Sequence, residues 1–127
     1  MTRHGAGGWT FVEVLIVLVI ISLLATIVIP HLSSTRDKAL VATMMTDLRN
    51  LLAQEEIRKL DSGSYITSFP PSVWSPSTGV SDPTIALTGD GWTASVTHIS
   101  SRRTCVIFVG STSLAPASKE GVPSCTP

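Results

Sequence analysis

Charge is the scarcest feature of this sequence. Only 14% of its 127 residues are Asp, Glu, Lys or Arg, against about 25% in an ordinary soluble domain. Nine basic and nine acidic residues cancel to a formal net charge of zero. That balance excludes a nucleic-acid binder working through bulk positive charge, and no nucleic-acid partner is expected. Two cysteines are too few for a disulfide-dense scaffold or a Cys-based zinc centre. His4, His31 and His98 share no metal-ligand spacing, and no P-loop, HExxH, GxSxG or dinucleotide fingerprint is present. Asp82 and Asp90 fall in predicted loops without the acidic run of a calcium loop, and read as solvent-facing turn residues. Arg102 and Arg103 read as two exposed, solubilising arginines. No catalytic residue, metal or cofactor is expected, and the chain does not read as an enzyme.

Apolar residues are plentiful instead: 43% of the chain, with a mean hydropathy of +0.35. They concentrate in WTFVEVLIVLVIISLLATIVI, the 21 residues 9–29, whose single charge is Glu13. About 20 apolar residues in a helix span about 30 Å, the hydrocarbon thickness of a bilayer. Many of these residues are β-branched, but in lipid the backbone must satisfy its own hydrogen bonds, which selects helix. The segment reads as a membrane helix. The flank before it, MTRHGAGG, has the glycines ahead of the apolar run, the reverse of a secretory signal peptide. Arg3 leans this end toward the cytoplasm. A carboxylate at the centre of a bilayer costs about 2.5–3.5 kcal/mol on insertion scales, less near a helix end, so Glu13 calls for a functional reason.

A short basic leader ending in glycine precedes an aromatic residue, Thr, two apolar residues, Glu, a long apolar stretch and a proline. Here the pattern is carried by Gly8, Trp9, Thr10, Phe11, Val12, Glu13, residues 14–29 and Pro30. In these residues the sequence resembles the type IV pilins and the related pseudopilins of type II secretion. Trp9 stands where the family usually has Phe, and Ser22 where many members have Gly. The resemblance implies that a prepilin peptidase/methyltransferase cuts between Gly8 and Trp9 and methylates the new amine. It also implies that Glu13 pairs with the Trp9 amine of a neighbouring subunit as helices pack into a homopolymer. Snorkelling of Glu13 to the headgroups is the plainer alternative. Pro30, at the far edge of the apolar run, predicts a kink or break. In the assembled state, helical hydrogen bonding is expected to loosen between about Ser22 and Pro30, with a more continuous helix in the isolated subunit.

Beyond Pro30 the sequence predicts an amphipathic helix to about Leu60. Val41, Met44, Met45, Leu48, Leu51 and Leu52 make one apolar face by their i, i+3, i+4 spacing. Arg36, Asp37, Lys38, Asp47, Arg49, Glu55 and Glu56 are assigned to the rest, as a solvated surface. Ile57 falls off the stripe and suggests that another element crosses there. Asp61-Ser62-Gly63 supplies a stop, with Gly63 as a left-handed cap. Residues 62–127 contain 23 Ser/Thr, 7 Pro and 6 Gly, a composition that disfavours helix. Strands are expected near residues 83–88, 91–99 and 103–109, the second from the alternation of Trp92, Ala94 and Val96. Residues 69–82 read as a long connecting loop. With the head outside the cytoplasm, Cys105 and Cys125 are expected to pair, a C-terminal loop resembling that of many pilins.

The expected fold is α+β and pilin-like: a long N-terminal helix, half membrane and half amphipathic, on a small antiparallel sheet. Residues 1–8 are the expected leader, 9–30 the transmembrane and assembly helix, 31–61 its amphipathic continuation, and 62–127 the head. The expected function is that of a structural subunit of a type IV pilus-like filament. The chain would be held single-pass in the inner membrane, with its N-terminus cytoplasmic, and polymerised by the pilus assembly machinery there. The bilayer is its partner before assembly, and a cell-surface or periplasmic filament its place afterwards. A pseudopilin of type II secretion, or a membrane-tethered binding domain that never polymerises, are the alternatives.

Overall fold

A computed structural model describes residues 8–127; most of the expected leader, including Arg3 and His4, lies outside the described residues. The chain divides into two compact units, the first ending at Arg36 and the second running Asp37–Pro127. One helix, α1 (Phe11–Ser62), contributes to both. Four strands follow: β1 (Thr84–Leu87), β2 (Trp92–Thr97), β3 (Thr104–Val109) and β4 (Ser124–Cys125). They form one antiparallel sheet in the order β1-β2-β3-β4, so the fold is the expected α+β arrangement. β4 was not foreseen.

In the first unit the side chains from Val12 to Ile29 are exposed, apart from the half-buried Ala25; Leu15 is 46% exposed and Ile27 72%. A continuous apolar surface of this extent is unstable in water and calls for lipid or other helices. The polar residues within it are satisfied locally. Ser22 Oγ donates to Leu18 O at 2.7 Å and Thr26 Oγ1 to Leu23 O at 2.7 Å, so neither brings an unpaired hydroxyl into lipid. Pro30 does not break the helix, which continues through it. A proline removes one i to i−4 bond, and the remaining ladder on either side carries the helix across.

In the second unit Met44, Leu48 and Leu51 are wholly buried and pack with Val80, Ile85, Trp92, Ala94, Val96, Cys105 and Ile107. Val41, Met45 and Leu52 flank this core, half-buried. The alternation of β2 holds, with Trp92, Ala94 and Val96 all turned into the core. β3 is buried on both faces. Cys105 and Ile107 join the core, while Val106 and Phe108 pack under Ala117 and Leu114 of the chain between β3 and β4. This explains its continuous apolar run. α1 ends as expected: Gly63 adopts φ 78° and its N–H donates to Lys59 O at 2.9 Å, satisfying one of the helix's last carbonyls. Gly91 is required where β1 turns into β2, because a Cβ there would overlap the Val109 carbonyl of the paired strand.

Three surface assignments are corrected. Asp47 and Glu55, placed on the solvated surface by residue type, are buried, 4% and 0% exposed. Asp47 is stabilised by Ser77, whose N–H and hydroxyl donate to its carboxylate at 2.9 and 2.8 Å. Arg103 is not a free surface arginine: its Nε lies 2.7 Å from Asp37 Oδ2, and Nη1 donates to Thr126 O at 3.3 Å. Ile57 is 51% exposed; Ile66, Phe69 and Val73 border a groove beside it without covering it.

Glu55 gives the second unit a pH dependence. Burial raises its pKa above the usual 4.5, against the Ile66 N–H, which donates to Oε2 at 3.2 Å and pulls the other way, while Glu56 raises it and Arg58 lowers it. Its Oε1 has no hydrogen-bond partner among the described residues. For a carboxyl with a raised folded pKa, the stabilisation is complete below the unfolded value and lost as pH rises through the folded one. Glu55→Gln stays neutral at every pH and can still accept from Ile66. Its urea midpoint relative to the parent should therefore rise as the pH is increased above about 4.5. A difference that is flat across this range would show that Glu55 is not buried in solution.

Candidate functional site at the start of the helix

Of the expected processing and assembly residues, Gly8, Trp9 and Glu13 gather at the beginning of α1. Gly8 is exposed, and among the described residues a Cβ placed on it would touch nothing within 4 Å. Trp9 follows, 77% exposed. The helix then begins with a reciprocal cap. Thr10 N donates to Glu13 Oε2 at 2.7 Å, Thr10 Oγ1 donates to the same oxygen at 2.9 Å, and Glu13 N donates to Thr10 Oγ1 at 3.2 Å. Two backbone N–H groups with no partner inside the helix are thereby satisfied by side chains. At a membrane boundary, where water is scarce, that satisfaction counts for more than in a soluble helix.

The role of Glu13 within its own chain was missed in the sequence reading. The signal was present as Thr10-Phe11-Val12-Glu13, the T-x-x-E spacing of a capping box before an apolar run. The carboxylate also gains from lying in the first turn, where the helix dipole favours negative charge. Capping by itself does not need the full negative charge, since a glutamine satisfies the same geometry. The charge is left available for a cation.

Pro30 lies within the same helix, well beyond the cap. Cys105 and Cys125 are far from both in sequence and form a disulfide, with Cα atoms 3.9 Å apart across the β3–β4 pair. Among the described residues no group of three or more His, Cys, Asp or Glu is placed to hold a metal ion. Asp90 is a turn residue, its pKa lowered by hydrogen bonds from the Ser111 hydroxyl and backbone N–H.

A capped apolar helix long enough to cross a membrane, carrying one acid in its first turn and continuing into an α+β unit, is a pilin-like architecture. No protein-family model matches the chain. Among individual proteins, the chain is similar to type II secretion system core protein G of Klebsiella michiganensis, 34% identical over 68 residues. That match covers 54% of this chain and 48% of the relative. The same protein from Pseudomonas aeruginosa is 34% identical over 65 residues, 51% of this chain and 46% of the relative. The type IV wide pilus major component PilA4 of Thermus thermophilus is 33% identical over 65 residues, 51% of this chain and 50% of the relative. These matches span about half the length of each relative. They support the pilin/pseudopilin family read from residues 8–30.

Proposed function

We propose that this chain is a structural subunit of a type IV pilus-like filament, waiting in a membrane through residues 9–30 and polymerising through the same segment. The observation that carries the reading is the pairing of an exposed apolar helix with a single first-turn carboxylate. The apolar surface has to be covered by lipid or by neighbouring helices, and among helices it associates through side-chain packing. The carboxylate supplies register. A Trp9 amine made by cleavage after Gly8 is a cation four residues from Glu13, about 6 Å of helix rise. In a packed array of parallel helices, an axial offset of one turn places the amine of one subunit beside the acid of the next. The inner membrane, with the N-terminus cytoplasmic, is the proposed holding place, and the prepilin peptidase/methyltransferase and inner-membrane assembly machinery are the proposed partners.

A second reading shares the polymer and differs in its use. Relatives from Klebsiella and Pseudomonas are named as core components of type II secretion, which favours a pseudopilin in a periplasmic filament. Shearing intact cells and analysing the released filaments by mass spectrometry separates the two. A pilus subunit is the bulk component of the sheared material, whereas a pseudopilin is retained with the cells. Absence from any filament, sheared or retained, would overturn the proposal.

Processing gives a direct prediction. The subunit purified from membranes or filaments should begin at methylated Trp9, with residues 1–8 gone. An intact mass that retains them in assembled filaments would contradict the proposed route.

A further inference from the structure

The 21 residues 63–83 join α1 to β1 with no strand of their own beyond the single bridge Val80–His98. Connections longer than about 12–15 residues without secondary structure are uncommon in small domains, and those that are ordered usually carry a function. This one is anchored by hydrogen bonds to the rest of the fold at residues 66, 77 and 81. Ile66 N donates to Glu55 at 3.2 Å, Ser77 donates twice to Asp47 at 2.9 and 2.8 Å, and Ser81 N donates to Thr97 O at 2.8 Å. Two of these anchors are carboxylates on the buried stripe of α1, where apolar side chains would stabilise the core more. A buried carboxylate is costly even when hydrogen-bonded. The helix gives up stability to fix the path of this connection.

The fixed path encloses a surface pocket of about 270 Å³. Phe69, Trp74, Pro71 and Pro83 supply apolar walls, and Ser75 and Asp82 supply polar groups. Trp74 is held on its inner side by the core, and its backbone N–H donates to Pro70 O at 3.2 Å, yet it remains half exposed. We propose that this pocket binds a neutral sugar ring. A pyranose has an apolar C–H face that stacks on aromatic side chains and an equatorial belt of hydroxyls. The Asp82 carboxylate accepts from such hydroxyls, and Ser75 both donates and accepts. The volume sits just below the roughly 300–1,000 Å³ of sites for drug-sized ligands, a fit for one ring. The lining contains no Lys, Arg or His and one carboxylate, so an anionic ligand is disfavoured. An alkylammonium ion would use the aromatic faces and Asp82 but would leave the hydroxyls of the lining idle. Anchoring by Asp47 and Glu55 lowers the ordering cost of binding, the benefit of a preorganised site. Filament assembly is not required for any of this.

The test uses the full chain in a detergent without a sugar headgroup. Saturation-transfer NMR is recorded against glucose, galactose, mannose and N-acetylglucosamine, with choline as the cationic probe. The expected result is transfer to the ring protons of at least one sugar and none to choline. Trp74→Ala and Asp82→Asn should each weaken binding at least about tenfold, with the unfolding midpoint of Asp82→Asn unchanged. Arg102→Ala, which alters a residue outside the pocket, should bind as the parent does. Silence from all four sugars at millimolar concentration, transfer that survives Trp74→Ala, or binding of choline in place of sugar would each overturn the proposal.

Discussion

Cells carrying Glu13→Gln as their only copy are expected to show the subunit at its ordinary level in the membrane, with its leader cut, and no filaments. Glutamine keeps the hydrogen bond that Glu13 makes to Thr10 N at 2.7 Å, so the start of α1 is preserved. It removes the only charge in residues 9–29, which makes insertion easier. A residue that served capping alone, or was merely tolerated, would therefore give filaments as abundant as the parent's. If its charge recruits a neighbour's Trp9 amine, the variant leaves that amine unpaired in an apolar array. Losing one partner of a buried ion pair typically costs about 3–5 kcal/mol, roughly two to nearly four orders of magnitude in each association step. Methylation keeps the amine charged at neutral pH and cannot compensate. Glu13→Val loses both the charge and the cap, and should likewise give no filaments.

The second large effect is expected from the head. Cys105→Ser combined with Cys125→Ser opens a loop with a sequence separation of 20, and in the chain-entropy account a loop of this length contributes about 3 kcal/mol. Apart from this bond the end of the chain is held by scattered hydrogen bonds, among them Gly121 N to Phe108 O at 2.9 Å, Thr104 N to Thr126 Oγ1 at 3.1 Å and Arg103 Nη1 to Thr126 O at 3.3 Å. β4 is two residues long and pairs only with Cys105 and Val106; Thr126 adds its N–H to Thr104 O at 2.9 Å. Once the tail frays, Leu114 and Ala117 no longer cover Val106 and Phe108, and the outer face of β3 meets water. The double variant should lower the urea midpoint of the head and increase proteolysis after residue 110. A midpoint within error of the parent's would show that the packing of the tail, and not the bond, secures it.

How much of this was visible in the chain depends on what each element asks of its residues. α1 was legible because 3.6-residue spacing survives in Met44, Leu48 and Leu51, and β2 because Trp92, Ala94 and Val96 alternate without interruption. Asp47 and Glu55 occupy the same stripe by position, Glu55 four residues after Leu51. Their polarity assigned them to solvent, and only the partners in residues 66 and 77, brought back by the long connection, make their burial tolerable. Those partners cannot be read from local sequence. β4 was invisible for a related reason: two residues carry no period, and the strand exists through its pairing with β3. At the candidate site Gly8, Trp9, Glu13 and Pro30 are visible as a pattern, whereas the bond between Thr10 and Glu13 is obscured by its setting: a lone acid in an apolar run points to a distant partner as readily as to the nearest donor.

The central claim is that Glu13 changes partner on assembly, from its own Thr10 to the amine of a neighbouring Trp9. A density map of the native filament, sharp enough to show side chains, decides it. The account predicts each Glu13 carboxylate within ion-pair distance of the Trp9 nitrogen of an adjacent subunit, with the helix loosened between Ser22 and Pro30. A map in which every Glu13 still caps its own Thr10, the neighbouring amine lies elsewhere and the helix runs unbroken through Pro30 would contradict it.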